Sequence, residues 1–150
     1  MKLFVQYQQT TLDSYHSGEE YGEWYADYDF KVHGVSTASH SSEYRRYDYR
    51  EEEFEVDFDA TPGDTVWVLT MVFSSGDSFG SSNGNGEVLW VFKSRELAEQ
   101  AADQVEDDSE QFQIAIKTDG GADVVLSNPA AGYFENISAM YVEPFTLVGV

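Results

Sequence analysis

An α+β fold, with an antiparallel sheet and one main helix packed on a face, is predicted for this chain by three observations. Glu53-Phe54-Glu55-Val56-Asp57-Phe58-Asp59 alternates strictly between acidic and apolar residues, the period of a strand with one face buried. Thr65 to Ser74 and Val88 to Phe92 are apolar on both faces, as central strands are. Ser94 then precedes Leu97, Ala98, Ala101, Ala102 and Val105, whose spacing of three and four makes one helical stripe. A chain of 150 residues buries roughly 68–70% of its unfolded surface, so a single domain over 1–150 is expected to build its own core. It has no cysteine, which removes disulfides and thiol chemistry.

The elements follow in order. Leu3 to Tyr7 reads as a short first strand, followed by a polar, turn-prone stretch from Gln8 to Glu20. Glu23 to Val35 mixes aromatics and acids in near alternation and reads as a strand, with Trp24, Tyr28, Phe30 and Val32 inward. Gly34 to Ser42 is serine-rich and reads as a loop. In the alternating strand that follows, Phe54, Val56 and Phe58 face inward. Thr61-Pro62-Gly63-Asp64 has Pro and Gly at the central positions of a type II turn. Ser75 to Gly86, rich in Gly, Ser and Asn, reads as the long loop of a hairpin. Ser94 is placed to cap a helix from about Arg95 to about Asp107, with Glu96 in the first turn. Phe112 to Ile116 and Val124 to Leu126 read as strands about a Gly120-Gly121 turn. Met140 to Val142 and Phe145 to Val148 close the sheet, and Pro144 between them favours a bend or an edge.

Charge narrows the function. Twenty-eight acids against 8 bases leave a net charge of -20, spread as 14 against 5 in residues 1–60 and 14 against 3 thereafter. Such a body repels phosphate polymers and anionic lipid, so direct binding to nucleic acid or membrane is not expected. Ten Phe, 10 Tyr and 3 Trp are more aromatic content than a disordered polyanion carries, so the chain should fold. The first residues turn polar too soon for a signal peptide, and no apolar run approaches the ~20 residues of a membrane span. A cytoplasmic protein is expected. Ordinary small domains need a net charge of only about 2–8 in magnitude for solubility, which points to a basic partner; adaptation to high salt stays open as an alternative.

No motif carries catalysis, and no cofactor or metal is expected. No Lys follows Gly80, Gly84 or Gly86, so the Gly-rich stretch is not a P-loop. An EF-hand starting at Asp77 would need Gly where Ser82 stands. Gly76-Asp77-Ser78 matches part of the nucleophile block of the GDSL-type esterases, but His16, His33 and His40 all precede Ser78, whereas that family's catalytic His lies near its C-terminus. His33 and His40 are seven apart, a spacing outside common zinc motifs.

Two interaction surfaces survive. Glu96, Glu99, Asp103, Glu106 and Glu110 recur at spacings of 3, 4, 3 and 4, a single acidic stripe if the helix continues to Glu110. The second collects Glu51, Glu52, Glu53, Glu55, Asp57 and Asp59 with Tyr44, Tyr47 and Tyr49, tyrosine being a residue of binding surfaces. From Val66 to Asp107 the chain runs strand, Ser75-Gly76-Asp77-Ser78-Phe79-Gly80 loop, strand Val88 to Phe92, then a helix opening Lys93-Ser94-Arg95. In this order it resembles small phage-encoded acidic accessory proteins. The resemblance implies a non-structural viral protein acting in the host cytoplasm, compatible with counter-defence, and it transfers no functional residue.

The expected function is therefore a non-catalytic inhibitor, a DNA or RNA mimic that occupies the basic nucleic-acid site of a host nuclease or defence complex. One alternative is a module that sequesters a nucleotide signal, using Gly76, Asp77, Ser78, Gly80, Asn83 and Asn85 in the 75–86 loop as an anion nest. Another is a Ca²⁺-binding or structural virion component.

Overall fold

The computed structural model describes residues 1–13, 24–40, 49–77, 80–131 and 135–149. Its strands are β1 (Lys2–Asp13), β2 (Trp24–Ser36), β3 (Tyr49–Glu55), β4 (Thr65–Asp77), β5 (Gly80–Phe92), β6 (Gln113–Lys117), β7 (Asp123–Ser127) and β8 (Glu135–Thr146), with one helix, α1 (Arg95–Asp107). The fold is α+β and mostly sheet. Six strands form one sheet in the order β3-β1-β2-β5-β4-β8, and β6 pairs with β7 in a second. All pairings between these strands are antiparallel except that of β2 with β5, where Trp24 to Asp27 run parallel to Gly80 to Asn83. The large sheet is thus mixed rather than purely antiparallel.

Two cores share the β4-β5-β8 half of this sheet. On one face Val66, Val68, Val88, Val91 and Leu147 pack against Leu3, Val5, Val35 and Phe54 of the β1-β2-β3 layer. On the other, Leu69, Met71, Leu89 and Phe92 pack against Ala98, Ala101 and Val105 of α1 and Ile114, Ile116 and Leu126 of the β6-β7 hairpin. Strand β4 sorts its residues between the cores by parity, even positions to one and odd to the other, as its doubly apolar sequence requires. In β5 a register shift opposite Leu69 and Thr70 resets the alternation, so Val88 and Val91 reach the first core while Leu89 and Phe92 reach the second. Strand β2 lies beside β5 at its start, and near its end the Val35 carbonyl accepts from the Val148 N–H, closing the fold past the end of β8. It therefore crosses one face of the β4-β5-β8 half.

Several sequence expectations need correcting. Of the stretch from Gln8 to Glu20, Gln8 to Asp13 is not a turn but the continuation of β1, because its backbone is paired with β2 whatever its side chains are, and the remainder lies outside the described residues. Gly34 to Ser36 belong to β2, not to a loop. Strand β3 begins at Tyr49 and ends at Glu55, although Phe54 and Val56 are buried as the alternation requires. The long 75–86 loop does not exist. Both strands run on through it, with Gly76 opposite Ser81 and Asp77 opposite Gly80. The two closing segments are one strand, β8, continuous through Pro144, and of the bend or edge expected of that proline the structure has the edge.

Other expectations stand. The Pro62-Gly63 turn forms, with Gly63 at φ 100° and the Asp64 N–H donating to the Thr61 carbonyl at 3.0 Å. Helix α1 has the expected bounds, and Ser94 Oγ accepts from the Leu97 N–H at 3.3 Å. Among the described residues no helix is long and apolar enough to cross a membrane.

Candidate functional site

The N-terminus of α1 is held from outside the helix. The Asp119 carboxylate accepts from the backbone N–H groups of Lys93 at 3.0 Å and Ser94 at 2.9 Å, fixing the chain as it enters the first turn. Burying Ala98, Ala101 and Val105 then turns Glu96, Glu99, Asp103 and Glu106 outward, and all four are exposed. Glu99 accepts from Arg95 Nε at 2.8 Å. Among the described residues no ion pair or hydrogen bond to the carboxylates of Glu96, Asp103 or Glu106 is seen. The helix ends at Asp107, capped by the Asp108 N–H on the Gln104 carbonyl, so Glu110 lies in the following turn and leaves the expected stripe.

The flanks of α1 face different neighbours. Leu97, Gln100, Ala101 and Gln104 line a cleft of about 250 Å³ against Ala115, Ile116 and Lys117 of β6. On the flank of Glu99, the Arg95 guanidinium lies 5.3 Å from the centre of the Trp67 ring. Trp67 is the cross-strand neighbour of Pro144 in β8. The side of α1 that carries Arg95, Glu99 and Glu106 is therefore turned toward β8 and away from the β6-β7 hairpin, while Glu96 and Asp103 point straight out from the buried face.

The acids of β3 have other surroundings. Glu51 accepts from Gln6 Nε2 at 2.9 Å, from Ser39 Oγ and from the His40 N–H at 2.7 Å. Partial burial works to raise its pKa, and the hydrogen bonds from Ser39, Gln6 and His40 more than offset this, so the carboxyl titrates below its ordinary range. Glu52 points inward with Phe54, and burial together with the facing Glu87 of β5 pushes its pKa up to about 7. Burial raises that of Glu87 as well. Tyr7, beside them, is raised by burial first and then by the charge of Glu52. Glu53 lies 3.4 Å from Lys2 Nζ, and Glu55 lies 3.1 Å from the Met1 amino group. Asp57 accepts from the Thr118 hydroxyl, which lowers its pKa, and the Asp59 carbonyl accepts from Lys93 Nζ at 2.9 Å.

The two acidic arrays lie in layers on opposite faces of β4-β5-β8 and do not make one continuous ridge. Among the described residues they come together at one corner, where Asp57 and Asp59 reach Thr118 and Lys93 beside the start of α1. The Tyr49 ring is 5.5 Å from that of His33, while Tyr44 and Tyr47 lie outside the described residues.

The proposed anion nest is not assembled. Gly76, Asp77, Gly80, Asn83 and Asn85 have their backbones in the β4-β5 and β2-β5 ladders, and Ser78 lies outside the described residues. Further along β5 the Gln9 side chain acts like a strand, accepting from the Gly86 N–H at 2.9 Å and donating to the Gly84 carbonyl. The Phe30 ring lies on Gly86, where a Cβ would overlap it. Among the described residues no group of three His, Cys, Asp or Glu is placed to hold a metal.

Two features escaped the sequence reading, the Glu52-Glu87 pair and the Asp119 clamp, whereas Pro144 had already marked its strand as a possible edge. Only the first had a signal, since extending the alternation back from Phe54 puts Glu52 on the inward face. The chain matches no protein-family model, no curated protein and no solved structure.

Proposed function

We propose that the protein is a non-catalytic inhibitor, of the counter-defence type carried by phages, that places acidic surface in the basic nucleic-acid site of a host nuclease or defence complex. The observation supporting this most is the flank of α1, where Glu96, Glu99, Asp103 and Glu106 are exposed in a helix whose one basic residue is Arg95. At a rise of about 1.5 Å per residue the four carboxylates come about every 5 Å along the helix axis, the same order as the ~3.4 Å of duplex axis per phosphate of one DNA strand. A net charge of -20 adds long-range steering toward a cationic groove, so association should slow steeply with salt.

The test begins with a protein retained from host lysate at low salt and then identified. Its affinity is measured for the wild type and for a variant with Glu96, Glu99, Asp103 and Glu106 all changed to Gln. The expected result is at least tenfold weaker binding by the variant, and displacement of the wild type by duplex DNA. Unchanged affinity, or simultaneous binding of DNA and wild type, overturns the reading.

A further inference from the structure

The sheet ends differently at its two edges. Strand β3 has seven residues, and its Glu51, Glu53 and Glu55 are tied to neighbours. Strand β8 has 12 residues, and no described strand pairs with its outer side. Which of its backbone groups point outward follows from the ladder. The Leu147 N–H donates to the Asp64 carbonyl on the β4 side, and its own carbonyl accepts from Gly63. Alternation then turns Phe145, Glu143 and Tyr141 toward β4, and Thr146, Pro144, Val142 and Met140 outward. Pro144, which has no N–H, stands at an outward position, as edge strands require. Beyond Thr146 the Val148 N–H donates to the Val35 carbonyl and its carbonyl accepts from Thr37, so this edge is occupied at its far end and, among the described residues, open from Met140 to Thr146.

What lies beside the open stretch is mostly acidic, its basic residues being Arg95, which is paired with Glu99, and Lys31. On one side is the flank of α1 bearing Glu99 and Glu106; on the other are Tyr141, 47% exposed, and Glu143. These last two line a cleft of about 290 Å³ with Asp29, Phe30, Lys31 and Val32 of β2. A second copy of this chain would bring a second set of the same carboxylates against the first, so like charge disfavours it. An extended segment bearing Lys or Arg on alternate residues has the complementary charge.

We propose that the outer edge of β8, from Met140 to Thr146, takes up an extended basic segment of the partner as an added strand, its cationic side chains beside the carboxylates of α1. The proposal rests on the inhibitor reading and deepens it: backbone pairing sets register and affinity, and the acids select charge.

The probe is an eight-residue peptide alternating lysine and threonine, together with the same peptide N-methylated at alternate residues. Affinity for the full-length protein is read by titration, and protection of the Met140 and Val142 amides by hydrogen exchange. The expected result is protection of both amides by the unmethylated peptide and at least tenfold weaker binding on N-methylation. Val142→Pro, which removes an outward N–H next to an existing outward proline, should weaken binding as much, and Val142→Ala, the packing control, should not. Binding unchanged by N-methylation and by Val142→Pro overturns the edge proposal while leaving the acidic reading intact. Partner affinity unchanged in the α1 glutamine variant overturns that reading instead. A dimer in sedimentation that Val142→Pro dissolves would also overturn the proposal, by assigning the edge to a second copy.

Discussion

The acids of β3 and those of α1 share a chemistry and differ in what surrounds them. In β3, Glu51 holds three donors, Glu52 faces Glu87 in a half-buried position, Glu53 meets Lys2 and Glu55 meets the chain's amino group. Along α1 only Glu99 has a partner seen among the described residues, and the others face solvent. The difference teaches that acidity in this chain has two uses. A carboxylate already engaged by its own fold must break those contacts to bind a partner, whereas a solvated one gives up only water. The α1 flank is therefore better suited than β3 to the recognition we propose, since most of the β3 acids are engaged within the fold.

Four predictions probe that contrast, in order of effect. Asp119 belongs with the structural acids, and Asp119→Ala should cost about 2 kcal/mol by leaving the Lys93 and Ser94 N–H groups without their acceptor, read from chemical denaturation. Glu52→Gln should do the reverse at pH 8. The folded pKa of about 7 lies above the ordinary value of 4.5, so the stabilising effect of Glu52 is complete below pH 4.5 and is lost as pH rises through 7. Neutralising it should therefore stabilise the protein by about 1–2 kcal/mol at pH 8, discounted for its partial exposure, and by almost nothing at pH 4. A variant equally stable with wild type at both pH values would remove the Glu52-Glu87 pair from the account.

Glu51→Gln should cost about 1 kcal/mol near neutrality, where the ionised carboxylate holds its donors. Because its pKa is lowered on folding, that difference should shrink as pH falls below the ordinary carboxyl range, which a denaturation series in acid would show. Smallest is the fourfold glutamine variant of α1. Loss of the Arg95-Glu99 pair and of the Glu96 charge near the helix N-terminus is offset by reduced self-repulsion, so stability should move by less than about 1 kcal/mol. A larger loss would place the α1 acids among the structural ones.

Legibility tracked the side chains. Helix α1 was readable because cap, stripe and acidic first turn agree with one another, and the Phe54-Val56 alternation and the Pro62-Gly63 turn were readable for the same reason. The ends of β1, β4 and β5 were not. There Ser, Gly, Asn and Gln give no apolar period, and the strands persist because their backbones find partners far along the chain, as Gln9 does at Gly84 and Gly86. The acidic stripe was legible as far as Glu106, and its loss at Glu110 depended on where the Asp108 cap ends the helix.

By itself the amino-acid order determined the net charge, the sorting of β4 between two cores and helix α1, since each depends on residue type and local spacing. Only the tertiary structure decided which carboxylates are engaged and which stay solvated, and which strand is left with an open edge. Those outcomes depend on contacts between residues distant in sequence, as when Gln6 meets Glu51 or Asp119 meets Ser94, and such contacts exist only once the layers have packed.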